Sequence, residues 1–189
     1  MSPESVSVER LPPVATASRE RYSASVPDWS REAKALWSWS PSRSLLASLR
    51  LYQRVADSKH PWHALLRKVA VLQHRFWSIV TGADIPLGCR IGGGLQIPHP
   101  NGVVIHGDVV LGPNCLIFQQ VTIGANESGV PTIGGQVDFG AGAKVIGPVK
   151  IGDHALIGAN AVVVCDVPAW ATAVGVPARV LPRRPEQGP

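Results

Sequence analysis

The sequence predicts a mainly β protein: a parallel β-helix preceded by a helical N-terminal segment. Three observations carry that prediction. An apolar residue returns every six positions through the second half of the chain. A small residue holds a second fixed place in nearly every one of those units. Upstream of residue 81, by contrast, the apolar spacing is that of amphipathic helices.

The elements follow in chain order. Residues 1–27 are rich in Ser, Pro, Glu and Arg with scattered apolar residues, and are expected to form a disordered lead-in. Residues 28–80 form the helical segment. Leu45, Leu46, Leu49, Tyr52, Val55 and Ala56 share one helical face. After "SKHP", a second stripe runs from Trp62 through Leu65, Leu66, Val69, Leu72, Phe76 and Ile79 to Val80, with Arg67, Lys68, His74 and Arg75 mostly opposite. Two readings of these stripes stay open. They pack on the main domain as a cap, or they form a basic amphipathic surface for a membrane or a partner protein.

Residues 81–181 carry the repeat. Its lead positions are Ile85, Ile91, Ile97, Ile105, Leu111, Ile117, Ile123, Ile133, Phe139, Val145, Ile151, Ile157 and Val163. At an apolar frequency of 45% the chance of such a run is about 3 in 100,000 before two offsets are allowed for, so the pattern is not accidental. The fifth position is small in the regular units, as at Cys89, Val109, Cys115, Ala143 and Ala161, with Leu95 the larger exception. Three flat strands per turn would point the lead residues into a narrow triangular interior that admits only small neighbours. Six-residue repeats are the signature of parallel β-helices. Residues 182–189 form a C-terminal tail.

The repeat expands twice. The unit at Ile97 holds two extra residues, in "IPHPNGVV", and the unit at Ile123 holds four, in "IGANESGVPT". Insertions in a solenoid leave its surface as loops and often mark a functional face. The first expansion carries His99. Eighteen residues make a coil, so Asp84 is expected to stack near Gly102, close to that turn. An aspartate bonded to one ring nitrogen would fix the imidazole tautomer and leave the other as a base. The competing reading has Asp84 closing a turn and His99 solvated.

Residues 81–181 resemble the serine O-acetyltransferase family of hexapeptide-repeat acyltransferases. The likeness rests on "GADIP", "IGGGLQIPHPNGVVIHGD", "QQVTIGA", "FGAGAKVIGPVKIGDHALIGANAVV" and "AVGVPARV". The resemblance implies a left-handed parallel β-helix, assembled as a homotrimer or a multiple of one, with acetyl-CoA as co-substrate in a groove between neighbouring coils. It also implies that His99 takes the proton of the acceptor hydroxyl while Asp84 orients it, and that the alkoxide attacks the thioester directly. For the CoA groove the small residues Gly140, Ala141, Gly158 and Ala159 permit close backbone approach. Lys144 and Arg179 are the nearest cations for its phosphates.

Two departures bear on the acceptor. The family places an acidic residue before the histidine, where this chain has Pro98. It also carries Arg-His-Pro where this chain has Gly129, Val130 and Pro131. A free amino acid needs partners for its carboxylate and ammonium. The resemblance implies L-serine as a small-molecule acceptor, whereas the missing charges point to a neutral hydroxyl, such as a sugar hydroxyl in surface-polysaccharide synthesis, by analogy with relatives of that kind.

Charge and composition exclude other classes. Residues 1–80 hold 12 Lys/Arg against 6 Asp/Glu, and residues 81–189 hold 6 against 7, which argues against a nucleic-acid-reading C-terminal domain. Three cysteines without a CxxC pair argue against a disulfide framework or a zinc site, and the repeat makes Cys89 and Cys115 coil filling. The spacing of His99, His106 and His154 does not suit three zinc ligands, and no metal is expected. "GGG" at Gly92–Gly94 reads as a turn, since no helix follows it. The N-terminus lacks the layout of a secretory signal and no apolar run could span a bilayer, so a cytoplasmic protein is expected. The non-catalytic alternative is a trimeric scaffold docking through its basic helices.

Overall fold

The computed structural model describes residues 22–35 and 38–181. The expectations for residues 1–21 of the lead-in and for the tail 182–189 lie outside the described residues. From Ala83 onward the chain winds as a parallel β-helix of about five turns. Every lead residue of the repeat is in one continuous core, as are the small fifth-position residues. The pattern works because a two-residue strand has one side chain in and one out, and the next corner returns another inward.

Three stacked faces result. The first holds β1 (Arg90–Ile91), β3 (Val110–Leu111), β6 (Thr132–Ile133) and β9 (Lys150–Ile151). The second holds β4 (Leu116–Ile117), β7 (Asp138–Phe139), β10 (Leu156–Ile157), β12 (Thr172–Val174) and β13 (Arg179–Leu181). The third holds β2 (Val104–Ile105), β5 (Thr122–Gly124), β8 (Lys144–Ile146) and β11 (Val162–Val163). Pairing is parallel throughout except at the end, where β13 turns back antiparallel on β12. A regular coil advances eighteen residues, as from Val104 to Thr122. Coils containing an expansion advance twenty or twenty-two, as from Arg90 to Val110 and from Val110 to Thr132.

Two helices precede the coils: α1 (Pro41–Val55) and α2 (Pro61–Thr81). Each opens on a proline, whose missing N–H costs nothing in a first turn. Gly82, at φ 64°, ends α2 in the left-handed conformation, with its N–H on the Ser78 carbonyl. The stripe on α1 packs as a cap: Leu45, Leu46 and Leu49 join the coil's own core. The stripe on α2 does not. Only Ala70, His74 and Thr81 of that helix are buried. The apolar face from Trp62 to Val80 is exposed, with Leu72 at 71% and Ile79 at 83%. α2 packs along α1 and meets the β-helix through His74, whose ring bonds the Ile85 carbonyl, and Trp77, which packs on the core.

Residues 22–33 are docked along the corner between the first and second faces, six of them ahead of the expected boundary at 28. Asp28 caps a short 3-10 turn (Trp29–Glu32) by accepting from the Ser30 N–H at 2.9 Å. Asn114 clasps this strap: its Nδ2 donates to the carbonyls of Ser23 and Val26, and its Oδ1 accepts from the Asp28 N–H. A side chain at Gly93 would collide with the Trp29 ring, 2.6 Å from an ideal Cβ. The "GGG" is a turn, and it is also the bed on which the strap lies. Arg50 of α1 closes the arrangement, pairing with Glu32 at 2.8 Å and donating to the carbonyls of Ile91 and Gly92 at 2.6 Å each.

Candidate active site

The corner between the second and third faces holds the candidate residues. Backbone hydrogen bonds run up this corner as a ladder, from Gly102 N–H to Gly82, Gln120 to Asn101, Gly142 to Gln119, and Asn160 to Ala141. The ladder matches Asn101 with Gln119, and Gln96 bridges Leu116 below it. Two residues of Pro98–Pro100 are therefore surplus to the coil and loop outward, carrying His99 into solvent. The imidazole lies over Phe118 of the next coil, with ring centroids 6.4 Å apart and planes 28° from parallel.

Asp84 sits one coil below, but in a different register from the one the eighteen-residue count gives. It bridges Val104, not Gly102, because the two added residues move every later partner on by two. Its backbone is tied to the His99 turn through Asp84 N–H to Val103 at 2.8 Å and Ile105 N–H to Asp84 at 2.9 Å. Among the described residues no hydrogen bond or ion pair joins the Asp84 and His99 side chains, both of which are exposed. The structure thus brings the two residues to adjacent coils on one edge without linking them.

The residues expected to receive the nucleotide thiol stand on the same edge, higher up. Gly140 and Ala141 occupy the corner two coils above the His99 turn, and Gly158 and Ala159 the one above that. At about 4.8 Å per coil, this places them about 10 and 14 Å from it. The corner is tight: an ideal Cβ on Gly140 would lie 2.5 Å from the Ala159 nitrogen, and one on Gly158 would lie 2.7 Å from Val174. Lys144 leans onto this edge, its Nζ donating to the Gln120 carbonyl. Arg179 is exposed on β13, paired with Val174 at the top of the corner.

Two residues of the edge were missed in the sequence reading. Phe118 faces His99, and Gln119 has a buried Oε1 without a hydrogen-bond partner. Both belong to a regular hexad, so nothing in the spacing singled them out; only their place beside the expansion could have. The other histidines lie elsewhere. His106 is at the corner between the third and first faces, its Nδ1 accepting from the Asp108 N–H. His154 is at the corner between the first and second, stacked on Trp170 at 3.9 Å. Among the described residues no group of three His, Cys, Asp or Glu could hold a metal ion. The loop with Gly129 and Val130 leaves from the same corner as His106, across the third face from His99.

Burial perturbs three groups in the core and under α2. Burial pushes the Cys89 thiol up to about 11 and the Cys115 thiol up to about 12, so neither is a thiolate near neutral pH. Burial also lowers the His74 pKa. This ring joins α2 to the start of the coil: Nε2 donates to the Ile85 carbonyl at 2.7 Å and Nδ1 lies 3.1 Å from Ser48 Oγ. Nε2 must carry the proton, since a carbonyl only accepts.

An apolar hexad core and an imidazole raised from one corner define a hexapeptide-repeat β-helix protein. No protein-family model matches the chain. A serine acetyltransferase of Synechococcus elongatus is 46% identical over 109 residues, 56% of this chain and 45% of that protein. A solved serine acetyltransferase in complex with CoA superposes with a TM-score of 0.63 at 31% identity, covering 76% of this chain and 57% of the other. The soybean serine acetyltransferase complexed with serine gives 0.57 at 32%, covering 73% of this chain and 70% of that one. The chain belongs to the serine acetyltransferase family, and its fold is the left-handed parallel β-helix that the resemblance implies. It spans about half the length of the curated relatives it matches.

Proposed function

We propose that the protein is an acetyl-CoA-dependent O-acetyltransferase using His99 as general base. The observation that carries this reading is the shared edge: His99 is looped out of the coil at the foot of a corner whose upper steps are stripped to Gly140, Ala141, Gly158 and Ala159. An extended thioester arm laid along those steps brings its carbonyl to the imidazole. A ring nitrogen of His99 takes the acceptor's hydroxyl proton, and the alkoxide attacks the thioester carbon. The tetrahedral intermediate collapses with cleavage of the C–S bond, and the imidazolium returns its proton to the leaving thiolate. Asp84, on the adjoining coil, positions the ring and offsets its charge once protonated; such contacts commonly tighten only when substrate is bound. Lys144 and Arg179 supply positive charge for the CoA phosphates.

Family membership supports L-serine as the acceptor. Gly129 and Val130, which offer no charge to an amino acid, favour a sugar hydroxyl as the second reading. Membership also supports a homotrimer or a multiple of it in the cytoplasm. The exposed α2 stripe, flanked by Lys68 and Arg75, supports contact with a membrane surface or a partner. No helix among the described residues is long and apolar enough to cross a membrane.

Thiol release from acetyl-CoA, measured against L-serine, L-homoserine and a panel of sugars, tests the proposal. His99→Ala is expected to lower turnover by about 10²- to 10⁴-fold. Full turnover in that variant would remove His99 from the mechanism.

A further inference from the structure

The exposed face of α2 is one-sided in shape and in charge. At 100° per residue its apolar side chains run from Ile79 through Leu65 and Trp62 to Leu66, an arc of about 140° on a helix about 30 Å long. Gln73 is the only polar residue inside that arc, and no charged residue falls in it. The opposite face, with Ala70, His74 and Thr81, is the one buried against the rest of the molecule. Trp39, 77% exposed, meets Trp77 edge-on at 5.7 Å and extends the apolar surface at the C-terminal end of the helix.

A groove of about 610 Å³ runs beside the stripe, between α1 and α2. Tyr52 lines it from α1, and Arg67, Lys68, Val71, Leu72 and Arg75 line it from α2. Leu72 belongs to stripe and groove alike, so the cations stand at the margin of the apolar face. Arg67 is held there by its Nη1, which donates to the Ala56 carbonyl at 2.9 Å. Among the described residues no carboxylate pairs with any of the three. Residues 33–83 hold eight Lys/Arg and one acid, Asp57, in the turn between the helices. These charges discriminate between occupants. A second copy burying the stripe along its length would pack antiparallel about the middle of α2. Lys68 and Arg75 lie on one flank, either side of that middle, so each copy's Lys68 would meet the other's Arg75, a repulsive pairing. An anionic lipid surface carries no such penalty. Its phosphates meet the cations while the stripe enters the boundary between headgroups and acyl chains, where tryptophan rings also partition.

We propose that α2 lies flat on a membrane containing anionic phospholipid, with the stripe from Trp62 to Val80 sunk below the headgroups and Arg67, Lys68 and Arg75 on lipid phosphates. The helix lies on the bilayer and does not cross it, since it is not apolar enough to span. The surface goes beyond the acetyl-transfer reading and uses none of its residues. Combined with that reading, it makes the protein a transferase held at a membrane.

Co-sedimentation of the intact protein with sucrose-loaded vesicles tests this, using phosphatidylcholine alone and equal parts phosphatidylcholine and phosphatidylglycerol. Binding to the mixed vesicles is expected to be about 100-fold tighter at low salt, each of the three cations contributing about five-fold. The preference should shrink as salt is raised. Lys68→Glu combined with Arg75→Glu should bring the ratio to near one, whereas Lys68→Arg should keep it. Leu72→Glu combined with Ile79→Glu should weaken binding to both vesicles by about 10-fold or more. Both positions are exposed, so an unchanged Tm shows that this variant is folded. Equal binding to the two vesicles, or an anionic preference that survives both double variants, overturns the proposal. Light scattering without lipid supplies a second way to overturn it: a complex that Leu72→Glu with Ile79→Glu splits into smaller species would assign the stripe to another copy. His99→Ala should bind vesicles as the unaltered protein does. Docking in a protein that releases no thiol would leave this proposal standing and remove acetyl transfer; thiol release without docking would do the reverse.

Discussion

The two helices present similar apolar stripes and meet opposite fates. On α1, Leu45, Leu46 and Leu49 are sealed into the β-helix core, and Arg50 ties the helix to the strap and to the first coil. On α2, a longer stripe with two aromatic residues stands in solvent, and the helix is joined to the coil through His74. Amphipathic spacing states that a face exists. What it faces depends on which element reaches the coil first, and α1, shorter and carrying fewer bulky residues, fits the open end of the narrow triangle.

This contrast can be broken experimentally. The largest effect is expected at the anchor of α1. Glu32→Ala leaves Arg50 buried without its partner and should cost about 3–5 kcal/mol, read as a lower urea midpoint. Next come matched truncations. Leu49→Ala on α1 should cost about 2–5 kcal/mol, whereas Leu72→Ala on α2 should shift stability by no more than about 0.5 kcal/mol. A large effect of Leu72→Ala that grows with protein concentration would mean that α2 is covered by another copy, and the contrast would vanish. The smallest effect is electrostatic. Burial favours neutral His74, so below its ordinary value of 6.5 the unfolded chain takes up a proton more readily than the folded one. Stability should therefore fall as pH drops below about 6.5 and level off beneath the folded pKa. A His74→Gln variant should show a flatter profile of Tm against pH; an unchanged slope would assign the effect to other groups.

Legibility in the sequence followed periodicity. Each lead residue from Ile85 to Val163 could be placed inside because a coil of hexads leaves every sixth side chain no other direction. The His99 expansion was visible by counting, since two added residues break an otherwise regular run. Asp84 was assigned to the correct neighbourhood but opposite the wrong residue, because that same expansion shifts the pairing to Val104. The strap was not legible. Asn114 holds Ser23, Val26 and Asp28 from more than 80 residues away, and polar clasps of that kind leave no repeating trace.

The corner ladder has one further consequence. Since every coil lifts the chain by one strand spacing, the separation between the imidazole and the bare glycine steps is counted in whole turns. It cannot drift by fractions of an ångström through ordinary substitution, nor be retuned except by adding or deleting a full coil. The edge behaves as a ruler with graduations of about 4.8 Å. On the proposed acetyl-transfer reading, a donor whose reactive carbon lies at the wrong number of graduations from its anchored end would not reach His99, however tightly it is held. On that reading, reach is selected before affinity.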